Sequence, residues 1–188
     1  MTLTSLLVPT YRNMLRALLG MLDKAEAQLG TEPAEALLTA RLAPDMWPLA
    51  TQLRLAALQA QEAPLRLLGE PVSSLDERLH EARNAGDAPG TLADARARIG
   101  EALEFLDALA PDALDQSPPD AMIALSLPTG MTFDLSREQF ARDWALGQFY
   151  FHLMSAYAIL RSEGVEIGKR DYVPHMFGYL RPGTMPGA

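Results

Sequence analysis

SREQFARDWALGQFYFHLMSAYAILRSE, residues 136–163, is the stretch whose reading decides the fold. Ser136 and Gln139 form a capping box, so a helix opens there. It then stays apolar around most of its circumference, which places such a helix at the centre of a domain. At 100° per residue, Trp144, Gln148, His152, Ser155 and Ile159 share an arc of about 80°. Leu146, Phe149, Leu153, Ala156 and Leu160 form a second, opposed stripe. Two packing faces fit a bundle member that touches several neighbours. Gln148 and His152 therefore point into protein or its edge. A buried imidazole and amide each need a hydrogen bond, a metal or a solvated cavity. A satisfied core histidine and a ligand pocket both meet that need. Tyr150, Phe151 and Tyr157 flank His152, as packing or as pocket wall.

Working outward from this helix, the preceding residues give one β-hairpin. Ile123, Leu125 and Leu127 alternate with Ala124 and Ser126, and Met131, Phe133 and Leu135 alternate with Thr132 and Asp134, around a turn at Pro128-Thr129-Gly130. A lone hairpin is marginal in water, so its apolar side must lie on helices. Before it, Thr91 and Asp94 form another capping box. The helix they open carries Leu92, Ile99, Leu103, Leu106 and Leu109 and ends at Pro111.

Nearer the start, a helix is expected from about Pro9 to Leu29, with Gly30 as its C-terminal cap. A short helix spans Pro33 to Thr39. Asp45 is expected to cap the next one, with Pro48 in its first turn and Leu49, Leu53, Ala56, Ala57 and Ala60 on one face. Pro64 should kink or end that helix, and Gly69 limits it. Residues 70–90 suggest a surface helix over Leu75 to Ala85 and are the stretch expected to be least ordered. Residues 173–188 are expected to form an irregular tail to a single domain spanning 1–172.

The 188 residues allow one domain with a sizeable core. No cysteine is present, which excludes disulfides, thiolate metal sites and a cysteine nucleophile. The N-terminal residues lack a basic leader and an apolar core, and no run of eighteen apolar residues occurs, so a cytoplasmic, soluble protein without membrane contact is expected. Net charge −8 with scattered basic residues argues against a nucleic-acid partner.

Motifs exclude more than they assign. Neither G-x-S-x-G nor G-x-x-x-x-G-K-[ST] nor G-x-G-x-x-G is present. The histidines are His80, His152 and His175, with no H-x-x-x-H or H-E-x-x-H to hold a metal. Glu77 and His80 match one half of a di-iron motif that bundles use twice.

YRNMLRALLGMLDKAEA, ARLAPDMWPLATQLRLA, TLADARARIGEALEFLDAL and above all FYFHLMSAYAILRSEGVEIGKRDY resemble a bacterial domain-of-unknown-function family, number nineteen ninety-three, within the DinB/YfiT-like metalloenzyme superfamily. The resemblance implies an all-α DinB-like four-helix bundle, with a short β-hairpin between the third and fourth long helices. It also implies a metal site of three histidines in many members, and relatives that are thiol-dependent transferases or an isomerase. The triad positions align near Gln52, at Gln148 and at His152, and only the last is a histidine. The resemblance thus predicts a degraded site with no cofactor, a weakly held zinc or nickel ion being the alternative. The functional expectation is a non-enzymatic homodimer binding a small molecule, with His152, Gln148, Gln52, Trp144, Ser155 and Tyr157 as pocket candidates. The competing expectation is a metal- or thiol-dependent transferase or isomerase using His152.

Overall fold

The computed structural model describes residues 1–184 except 73, 74, 87 and 128, and of residue 76 the backbone alone. Pro128 of the expected turn, residues 73, 74 and 87 of the 70–90 stretch, and 185–188 of the expected tail lie outside the described residues.

Helix α1 runs from Leu3 to Leu29, six residues earlier than expected. Its true cap is Thr2, whose side chain accepts from Ser5 N–H while Ser5 reciprocates. Pro9 sits inside the helix on its exposed face. The α2 helix, Thr31–Ala36, passes into a 3-10 turn over Leu37–Thr39.

Helix α3 spans Leu49–Leu68 and corrects two expectations. Asp45 does not cap it; Pro48 occupies the N-cap position with no side-chain hydrogen bond. Nor does Pro64 end it. The helix continues for another turn to Gly69, whose left-handed backbone (φ 74°) closes it. Proline removes one bond, and packing along the whole helix outweighs that loss.

A third correction concerns the centre of the fold. Sixteen of the 20 residues of α3 are buried, including Thr51, Gln52, Arg54, Gln59 and Gln61. It packs against the last long helix, α7 (Leu146–Ser162), against α5 (Leu92–Ala108) and against the short α4 (Asp76–Arg83). By contrast α7 buries seven of 17 residues and leaves Phe151 56% and Met154 46% exposed. A polar-dotted, alanine-rich helix is therefore the central one.

The expected capping boxes at Thr91/Asp94 and Ser136/Gln139 are both present. Strands β1 (Met122–Ser126) and β2 (Thr132–Ser136) pair antiparallel, with Leu125 opposite Phe133 and Ile123 opposite Leu135. Leu125 is buried against the helices, as a lone hairpin requires. After β2 the chain makes an α-turn, α6 (Arg137–Gln139), then a π-helical segment over Phe140–Ala145 in which Leu146 N–H reaches back to Ala141 O, and then α7. The expected single helix is continuous but carries this widened turn.

Gly164 (φ 85°) ends α7, and Val165 N–H returns to Leu160 O. Gln28 then clamps the chain by donating to Gly164 O and accepting from Glu166 N–H. Helix α8, Lys169–Tyr172, follows, and residues 174–179 form 3-10 turns rather than irregular chain. The GKRD stretch serves this docking: Asp171 accepts from Gly168 N–H and pairs with Lys24 of α1 at 2.5 Å.

Candidate functional site

The site forms where α3 and α7 cross. Gln52 is in the first turn of α3, and His152 is near the middle of α7; both are buried. Gln52 Nε2 donates to Trp47 O at 3.3 Å, which turns its Oε1 toward His152 Nδ1, 2.9 Å away. Since that oxygen can only accept, His152 carries its proton on Nδ1. The lone pair is then on Nε2. Burial, reinforced by the positive charge of Arg83, pushes the imidazole pKa down to about 4. His152 is therefore neutral at pH 7, a hydrogen-bond acceptor and a weak base.

Trp47 stacks on His152 with ring centroids 6.1 Å apart and planes inclined by 28°. Phe151 meets it edge-on at 5.3 Å. Beyond the imidazole opens a cleft of about 550 Å³, a volume within the usual range for small-molecule sites. Trp144, Gln148 and Phe151 form one wall; Leu55 and Gln59 of α3 the floor; Leu79 and Arg83 of α4 another side; Leu127 and Thr129 of the hairpin close it. The π-helical segment carries Trp144, so this ring reaches the cleft from a widened turn.

Four of the six sequence candidates thus come together: His152 and Gln52 in direct contact, Gln148 and Trp144 beside them. The other two are placed elsewhere. Ser155 donates to Phe151 O at 2.7 Å, within its own helix. Tyr157 packs edge-on against Tyr172 at 5.5 Å, under the C-terminal segment. Sequence reasoning missed Trp47, Gln59, Leu79 and Arg83. A signal existed for Gln59: with Gln52 and Leu55 it follows the i, i+3, i+7 spacing of one helix face. Arg83 had none, because its position depends on how α4 docks.

Among the described residues no group of three His, Cys, Asp or Glu side chains is placed to hold a metal ion. His80 is exposed and lies against Asn84. No helix among the described residues is long and apolar enough to cross a membrane.

Helices crossing around a histidine-bearing polar layer, with a hairpin inserted before the last long helix, define a DinB-like bundle. The crystal structure of a DinB family member protein from Shewanella denitrificans shares this fold. It is 32% identical, with a TM-score of 0.72, and the match covers 99% of this chain and 94% of that one. The chain belongs to the family described as Domain of unknown function (DUF1993), whose model matches residues 3–173. No curated protein matches it.

Proposed function

We propose that this protein binds a small molecule in the cleft beside His152 without chemically transforming it, and that its metal site is degraded. The observation that carries this reading is the Gln52–His152 hydrogen bond. At the three positions where the superfamily resemblance expects imidazoles, this chain has two amides and one histidine. One amide oxygen is already engaged by the histidine's N–H. Amide oxygens are hard, neutral donors and poor partners for zinc or nickel, so the residues present do not fit a resident transition metal. His152 titrates far below neutrality, which also leaves it ill-matched to proton abstraction at pH 7. A cleft lined by aromatic and aliphatic side chains with a few convergent polar groups remains, which is the composition of a ligand site.

Self-association, through the apolar surface of α7, and a cytoplasmic location belong to the same reading. The test is metal analysis of protein purified without a histidine tag, paired with a thermal-shift screen of small organic molecules. Substoichiometric metal is expected, along with ligands that raise Tm in the wild type and not in Trp144→Asp. Stoichiometric zinc, nickel or iron that disappears in His152→Ala would overturn it.

A further inference from the structure

The charge inside the cleft is opposite to that of the protein. The chain carries 24 acidic and 16 basic residues, yet among the described residues lining this cleft there is no carboxylate. The ionisable groups among those described residues are Arg83 and His152, and His152 is neutral at pH 7. A fixed cation beside apolar walls favours an anion there. One guanidinium matches one carboxylate in fork geometry. A phosphate dianion would call for further cations or a helix N-terminus, and the described lining residues include no second cation. The walls supply the rest of the description. Trp47, Trp144 and Phe151 offer flat apolar faces, and Trp47 and Phe151 remain 40% and 56% exposed beside the cleft. Aromatic faces left open in this way suit a planar ring. His152, protonated on Nδ1 by its bond to Gln52, presents a lone pair on Nε2. That atom takes a hydrogen bond from a donor; it offers none.

We infer that the ligand is a small aromatic carboxylic acid bearing an N–H or O–H on its ring, with the carboxylate held by Arg83, the ring among Trp47, Trp144 and Phe151, and the donor on His152 Nε2. This inference rests on the binding reading above and narrows it to a chemical class. Each side chain has one task. Arg83 supplies the charge, the aromatic walls supply area, and His152 fixes orientation.

Three probes separate these tasks by calorimetric titration at low salt: indole-3-acetate, indole-3-ethanol and 1-methylindole-3-acetate. The second lacks the carboxylate; the third lacks the donor. Indole-3-acetate is expected to bind roughly tenfold more tightly than the alcohol, the worth of about one charge-assisted hydrogen bond. That preference should vanish in Arg83→Gln and return in part in Arg83→Lys. Because Arg83 is exposed, both variants should melt with the wild type, and the lysine variant guards against a folding artefact. N-methylation should weaken binding severalfold in the wild type and have no effect in His152→Phe. Equal affinity for acid and alcohol, or a preference unchanged in Arg83→Gln, overturns the ligand class while the binding cleft stands. Failure of all three probes to bind also overturns the ligand class, and the fate of the cleft reading then rests on the broader screen and the metal analysis.

Discussion

His152 and Gln52, one hundred positions apart in sequence, meet at 2.9 Å between Nδ1 and Oε1 where α7 crosses α3. This bond ties the central helix to the last long helix. It fixes the imidazole tautomer and turns Nε2 into an acceptor for the cleft.

Replacing Gln52 with Leu keeps the volume and removes the acceptor. The His152 N–H is then buried without a partner, a loss of about 1–3 kcal/mol. Urea denaturation should show a lower midpoint with an unchanged m-value. Nitrogen NMR of the imidazole should show the single wild-type tautomer giving way to a mixture. A single tautomer in Gln52→Leu would mean that another group orients the ring.

Stability should also depend on pH through His152. Its folded pKa is depressed to about 4, by burial first and then by the Arg83 charge, whereas the unfolded imidazole titrates near 6.5. Between these values the unfolded chain binds the extra proton, so stability falls as pH drops from about 6.5 to about 4. Above 6.5 this group's contribution is complete and flat. The whole effect is on the order of 3 kcal/mol. Thermal melts of wild type and His152→Gln from pH 4 to 8 isolate it, since the other titrating groups cancel in the difference. Parallel curves across the acidic window would show that His152 protonates as easily folded as unfolded.

These residues also show how far the sequence could be read. The capping boxes at Thr91/Asp94 and Ser136/Gln139 were legible because each is completed within four residues. The hairpin followed from two-residue alternation on both sides of a turn, and the structure supplies its register. The family resemblance located Gln52, Gln148 and His152. What escaped depended on tertiary packing. A wheel at 100° per residue cannot register the π-helical turn that carries Trp144. It also ranked α7 as the centre by hydrophobicity, although α3, with its alanines and glutamines, is the helix the others enclose. Arg83 reaches the cleft because α4 docks on α3. That docking uses a small cluster of Leu55, Leu58, Leu75 and Ala82, and the buried Arg54, which donates to Ala88 O and Pro89 O at 2.8 and 3.0 Å. No local pattern encodes it.

Arg137 makes a different prediction, about the fold rather than the cleft. It is buried at the start of α6, and its guanidinium donates to Leu67 O at the end of α3 and to Leu114 O at 2.7 Å. Methionine there keeps the stem and strips two carbonyls of their donor. The expected loss is about 2–4 kcal/mol by chemical denaturation. Arg142→Met serves as the contrast. Its ion pairs with Asp143 and Glu138 are exposed, and water screens surface pairs of this kind, so this variant should unfold close to the wild type. Equal losses in the two variants would rule out the clasp role of Arg137.

The exposed face of α7 leads to the last prediction. Tyr150 and Met154, both outside the cleft lining, leave 37% and 46% of their surfaces open on one helix. Apolar area gathered in this way contributes about 25 cal/mol per Å² when a second copy covers it. Sedimentation velocity at several concentrations should therefore show a monomer–dimer equilibrium. Met154→Glu, which places a charge on that face and lies off the residues lining the cleft, should shift it toward monomer while leaving probe binding in the cleft intact. A sharp monomer at every concentration would remove α7 as a self-association surface. If dimerisation survives Met154→Glu unchanged, the contact lies on another face.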